Sequence, residues 1–151
     1  MRQIWMGIMM GCLWSATAMA DCGGSLLSMG AYAGRPFPAS VEAQLIVPLE
    51  ECGRSVSGPL LGAEAGSGGH KLFVGYGANG DSSGFLSLHG GGSIRLAFWE
   101  VKNEAATVTQ GRYWGPEVQV AVLLGARLGV MLPAGGAARS PTLAASLGFA
   151  Y

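Results

Sequence analysis

The last ten residues, Thr142-Leu-Ala-Ala-Ser-Leu-Gly-Phe-Ala-Tyr151, decide the fold class. Leu143, Ala145, Leu147, Phe149 and Tyr151 alternate with Thr142, Ala144, Ser146, Gly148 and Ala150. One face is apolar and aromatic, the other tiny or polar. Alternation with a period of two is the signature of a strand with two different faces. No helix has that period.

The same pattern recurs upstream. In Val41–Leu49, Val41, Ala43, Leu45, Val47 and Leu49 oppose Glu42, Gln44, Ile46 and Pro48. In Pro116–Leu124, Val118, Val120, Val122 and Leu124 oppose Glu117, Gln119, Ala121 and Leu123. Weaker versions run over Ser25–Ala33, Pro59–Gly66, His70–Ala78, Ser93–Val101 and Ala126–Leu132. Glycine, 26 of 151 residues, interrupts nearly every window that would support a helix. Half the chain is apolar and only 12% is charged, which excludes a disordered chain. The expectation is an all-β, antiparallel up-and-down barrel of about eight strands.

The second face separates a soluble barrel from a membrane barrel. Soluble strands turn strongly hydrated side chains outward. Here that face is mostly Gly, Ala, Ser, Thr and Gln, and its few charges balance. Glu42, Glu64 and Glu117 match Lys71, Arg95 and Arg127. If the apolar face points outward, these six point inward, and they are tolerable there only as partners. Arg95 is the critical assignment, because Trp99 shares its parity and a one-residue slip would reverse the face.

The N-terminus points to export. Residues 1–20 carry Arg2, an uncharged apolar stretch from Ile4 to Trp14, and Ala18-Met19-Ala20 before Asp21. That is the layout of a secretory signal peptide cleaved after Ala20. Met9-Met10-Gly11-Cys12 only loosely matches a lipoprotein cleavage box and lacks its leucine. Removing 20 of the 151 residues leaves 131, a single barrel domain over residues 21–151. Arg2 leaves with the signal, so eight Lys and Arg face nine Asp and Glu. There is no basic stripe for nucleic acid.

These features, with a terminal strand ending in Tyr151, resemble the small outer-membrane β-barrel proteins of Gram-negative bacteria. The resemblance implies a monomer in outer-membrane lipid. It further implies that Leu147, Phe149 and Tyr151 mark the strand read by the barrel-assembly machinery. The implied role is non-enzymatic: envelope structure or surface contact. A mean hydropathy that is positive overall and short, glycine-rich loops keep open a soluble periplasmic barrel that binds an apolar ligand.

Enzymatic and cofactor signals are weak. Gly75, Gly77 and Gly80 spell G-x-G-x-x-G, with Glu100 twenty positions on. A dinucleotide site needs a helix starting within those glycines, and Asp81-Ser82-Ser83-Gly84 follows instead. Asn79-Gly80-Asp81 reads as a hairpin turn. His89-Gly-Gly-Gly92 lacks the G-x-S-x-G partner of a hydrolase, and the Gly66–Lys71 stretch lacks phosphate-loop spacing. His70 and His89 have no ligand cluster around them. Ser87 with His89 is the one candidate pair for a lipid-modifying barrel enzyme. No metal or cofactor is expected.

Cys12 leaves with the signal, so Cys22 and Cys52 are the remaining cysteines in an oxidising compartment. If the first hairpin turns at Phe37, residues whose numbers add to 74 face each other. Cys22 and Cys52 do, and a disulfide is expected between them.

Overall fold

In the computed structural model of the chain, the described residues are 26–52, 55–81, 89–102, 108–122 and 124–150. Among them lie nine strands: β1 (Leu27–Arg35), β2 (Ser40–Ile46), β3 (Glu50–Cys52), β4 (Ser55–Gly66), β5 (Gly69–Asp81), β6 (His89–Val101), β7 (Gly111–Val122), β8 (Leu124–Gly136) and β9 (Thr142–Ala150). They form one antiparallel sheet in the order β2-β1-β9-β8-β7-β6-β5-β4-β3, and a further pairing of β2 with β4 closes it. Each alternating segment of the sequence lies largely within one of these strands.

β2 and β3 are two pieces of one barrel strand, so the closed barrel has eight. Both lie along β4, from Ser40↔Gly66 to Ile46↔Leu60 and then from Glu50↔Ser57 to Cys52↔Ser55, one residue out of phase. Pro48 causes the break, because it has no N–H to give the ladder. The amides on either side still donate, Val47 to the Pro59 carbonyl at 2.8 Å and Leu49 to the Ser57 carbonyl at 3.0 Å. Gly58 makes room: a Cβ there would run into the Val47 carbonyl oxygen.

The stagger of the barrel follows from its ladders. A walk from Val56 passes through Asn79, Gly91, Ala121, Gly125, Gly148, Tyr32 and Ser40. It returns to β4 at Gly66, ten residues from its start. For eight strands, that stagger sets a strand tilt of about 40°.

Two local expectations are corrected. Asn79-Gly80-Asp81 is strand, not turn: the β5–β6 ladder continues to Asp81↔His89, and Asn79 is buried inside. Pairing along a long ladder overrides a local turn preference. The first hairpin has Leu27 facing Leu45 and Tyr32 facing Ser40, so facing numbers add to 72 rather than 74. Phe37 does not cap the turn but packs into the core, 2% exposed, against Gly66 and Gly69. That inward tuck shifts the centre of the hairpin to Pro36. Cys52 pairs through its backbone with Ser55 of β4 instead of continuing along β1, and Cys22 lies outside the described residues.

The alternation resolves into two surfaces of opposite character. Leu72, Val74 and Tyr76 of β5, Ile94 and Phe98 of β6, and Val118, Val120 and Val122 of β7 are all exposed on the outer wall. The residues between them are buried or half-buried. Toward the end holding the 36–39 and Ser67–Gly68 turns, Phe37, Phe73, Trp99, Val101, Tyr113 and Met131 fill the interior. Toward the end where β1 begins and β9 finishes, Ile46, Val56 and Leu60 do so. We call the first the loop end and the second the terminal end. Between the two apolar layers lies a polar one.

Candidate functional site: a charge network inside the barrel

Six strands each deliver one charged side chain to the middle layer: Glu42 from β2, Glu64 from β4, Lys71 from β5, Arg95 from β6, Glu117 from β7 and Arg127 from β8. All six are buried, none more than 5% exposed. Their inward position follows from parity, since the residues on either side of each are mostly the outward apolar ones. Burying an ion costs several kcal/mol unless it is paired and hydrogen-bonded. Here every ion is.

Lys71 Nζ donates to Glu117 Oε1 at 2.9 Å and Oε2 at 3.1 Å, and lies 2.5 Å from Glu64 Oε2 and 3.4 Å from Glu42 Oε2. Arg95 Nη1 donates to Glu42 Oε2 at 2.9 Å and stands 3.6 Å from Glu117 Oε1. Arg127 Nη1 donates to Glu42 Oε2 at 2.6 Å and to Glu64 Oε2 at 2.7 Å, while its Nη2 reaches Glu64 Oε1 at 3.1 Å. Each carboxylate thus meets at least two cations, and three acids balance three bases.

The geometry also answers a local repulsion. Glu42 and Glu64 face each other directly across the β2–β4 ladder, and like charges there are unfavourable. Lys71 comes from the neighbouring strand β5. Arg127 comes from β8, on the other side of the barrel, and crosses the lumen to reach both acids. The bonds therefore tie opposite walls together instead of only adjacent strands.

Two hydroxyls and two rings complete the layer. Arg95 Nε donates to Ser93 Oγ at 2.7 Å and Arg127 Nε to Ser146 Oγ at 2.8 Å. The Arg95 guanidinium stacks 4.3 Å from the Phe73 ring centre, and that of Arg127 lies 3.5 Å from the Tyr32 ring centre. Such stacking suits the planar, weakly hydrated guanidinium. The Tyr32 hydroxyl accepts from Gln119 Nε2 at 2.7 Å. Gly62 lies against the Phe73 ring, and Gly30, Gly125 and Gly148 lie against that of Tyr32. These four glycines therefore make room for the two rings on which the guanidiniums stack. Inward parity marks Tyr32, Phe73, Ser93, Gln119 and Ser146, but nothing in the sequence names them as partners of the charges.

Other sequence candidates sit apart from this layer. Gly75 and Gly77 lie on β5, where Gly75 packs against the Ile94 carbonyl and Gly77 against Leu60; neither opens a helix. His70 is on the outer wall at the loop end, its Nε2 3.4 Å from Glu100 Oε2, both half-exposed. His89 begins β6 and only its backbone is described, while Ser87 is outside the described residues. Among the described residues no three His, Cys, Asp or Glu are grouped as a metal site. Leu147 and Phe149 project outward from β9, 69% and 70% exposed, and β9 pairs with β1, Ala31 facing Phe149. Tyr151 lies outside the described residues. Comparisons with family models, with curated proteins and with solved structures find no match to this chain.

Proposed function

We propose that this chain is a non-enzymatic outer-membrane β-barrel with an envelope-structural or surface-contact role. The observation that carries the reading is the inverted polarity of the barrel: an apolar outer wall around a charge-balanced interior. In water such a wall would expose far more contiguous apolar surface than a soluble monomer tolerates. In a bilayer it meets hydrocarbon, and a closed sheet leaves no unpaired strand edge there. β5 to β8 are 12 or 13 residues long. At about 3.3 Å per residue and a tilt near 40°, that is a height of about 30 Å, enough for an apolar band of about 25 Å. The filled lumen supports a structural role over diffusion through the barrel.

Three features belong to this reading. Residues 1–20 act as the signal for export. The β9 strand with Tyr151 serves as the segment presented to the assembly machinery. Cys22 and Cys52 form a disulfide. The support for the last is their number in an exported chain and the place of Cys52, which ends β3 at the terminal end of the barrel, where β1 also begins.

Fractionation of expressing cells tests the reading. The protein is expected in the outer-membrane fraction, extracted only by detergent, with electrophoretic migration that changes on boiling. Release with the periplasmic contents in the absence of detergent would overturn it. Alkylation of the purified unreduced protein is expected to add no label; two labelled cysteines would remove the disulfide.

A further inference from the structure

Among the described residues, four buried side-chain nitrogen or oxygen atoms have no hydrogen-bond partner: Arg95 Nη2, Gln119 Oε1, Gln44 Oε1 and Ser40 Oγ. A buried polar atom left unmet is rare and costly. The first three belong to one level of the lumen. Gln44 follows Glu42 by two residues on β2, Gln119 follows Glu117 by two on β7, and Ser93 precedes Arg95 by two on β6. With these strand directions, all three positions fall on the terminal-end side of the charge network. They form a neutral polar layer there with Ser28, whose hydroxyl accepts from Gln44 Nε2 at 2.7 Å. Ser40, two residues before Glu42, lies on the loop-end side and is not part of it.

The Arg95 guanidinium stands between the two glutamines. Its Nη1 donates to Glu42, the next inward residue to Gln44 on β2. Its Nε donates to Ser93 Oγ, and Ser93 faces Gln119 across the β6–β7 ladder. Nη2 shares an edge of the planar group with Nε, so one of its N–H bonds is turned the same way, toward the terminal-end layer. Each amide already uses its nitrogen, Gln119 on the Tyr32 hydroxyl and Gln44 on Ser28. One donor group and two acceptors are left in a single layer. Gly75 and Gly77 face Arg95 and Ser93 across the β5–β6 ladder, so β5 sends no side chain into the lumen at this level.

We propose that this layer is a buried hydration site, in which a small cluster of ordered water bridges Arg95 Nη2 to the carbonyl oxygens of Gln119 and Gln44. The signs of the groups select the ligand. An anion would suit Arg95 but meet two amide oxygens and the carboxylates of Glu42 and Glu117. A metal cation would suit the oxygens but meet the guanidinium. Water accepts from the N–H and donates to both oxygens, and a buried water typically makes about three such bonds. The inference is independent of what surrounds the outer wall.

A crystal structure of the purified protein, at a resolution where ordered water is visible, tests the site, with a second crystal grown in bromide. Water is expected within about 2.7–3.2 Å of Arg95 Nη2 and in reach, directly or through a second water, of both glutamine oxygens. Arg95 Nη2 bonded directly to Gln119 Oε1 or to a carboxylate would overturn the proposal, and bromide at Arg95 would assign the site to an anion instead. Gln44→Leu and Gln119→Leu supply a second measurement by urea unfolding. Their direct partners differ, Ser28 and Tyr32, so direct bonds alone predict that the two losses in the unfolding constant multiply. A shared water cluster is disrupted by the first change, and the double variant is expected to fall short of that product by about three-fold or more. Losses that simply multiply would overturn the shared cluster.

Discussion

Glu42 and Glu64 stand opposite each other on paired strands, and Arg127 donates to both. Replacing Arg127 by Met keeps the bulk but leaves two neighbouring acids to Lys71 and Arg95. Breaking a buried ionic group from one side costs about 3–5 kcal/mol, and we expect a loss of that size in the urea unfolding of the refolded protein, followed by the fluorescence of Trp99 and Trp114. Glu64→Gln combined with Arg127→Met should cost clearly less than the sum of the two single changes, because one removes the excess charge the other creates. Strict additivity would mean that the six charges do not act as a unit. The sequence marks which residues share the inner face, since parity does that for Glu42, Lys71 or Arg127 alike. It does not show that Arg127 reaches across the lumen to Glu42, or that Ser146 takes its Nε proton. A period of two assigns a face; contact between distant strands depends on stagger, which no single segment carries.

At the scale of the strands, long ladders were legible and their punctuation was not. Alternation in Val118, Val120 and Val122 is enough to identify β7, yet Asn79-Gly80-Asp81 has the chemistry of a turn and lies in β5. Phe37 reads as part of a loop and is in the core. Local preference is worth a few tenths to about one kcal/mol, less than a run of ladder bonds or a buried ring. The seam between the bent strand β2–β3 and β4 gives a sharp test. Gly58→Val would drive a side chain into the Val47 carbonyl, whereas at Gly92, on the outer wall, the nearest atom to an added Cβ is the Gln119 carbonyl oxygen at 3.5 Å. We expect Gly58→Val to lose about 1–3 kcal/mol and Gly92→Val less than about 0.5 kcal/mol, both by urea midpoint. Similar midpoints for the two would show that the bend is not held at Gly58. For the closing strand, deleting residues 149–151 is expected to cut the yield of membrane-assembled protein far more than deleting residues 84–86. Equal yields would count against β9 as the strand the assembly machinery reads.

For the whole molecule, an antiparallel up-and-down barrel closed between its last and first strands could be read from the alternating segments, while its ten-residue stagger could not. The membrane reading makes a depth-dependent prediction. Val118 sits near the middle of β7 and Val122 at its terminal end, both on the outer wall. Arginine on a lipid-facing wall costs about 2–4 kcal/mol at mid-depth and about 0–1 kcal/mol near an interface. Val118→Arg is therefore expected to destabilise folding into lipid vesicles by the larger amount and Val122→Arg by the smaller, measured as shifts in guanidinium unfolding. A soluble barrel would tolerate both equally, as added surface charge.

The order in which charges enter the lumen has a consequence for synthesis. Glu42, Glu64, Lys71, Arg95 and Glu117 are all made before Arg127, the last of the six, and β9 is the strand that meets β1. A chain cut short before β8 would carry three acids and two bases into its interior and would have no strand to seal the seam. It could neither neutralise its lumen nor hide its edges from a protease. Such a chain would lack both the last counter-charge of the lumen and the strand that joins β8 to β1.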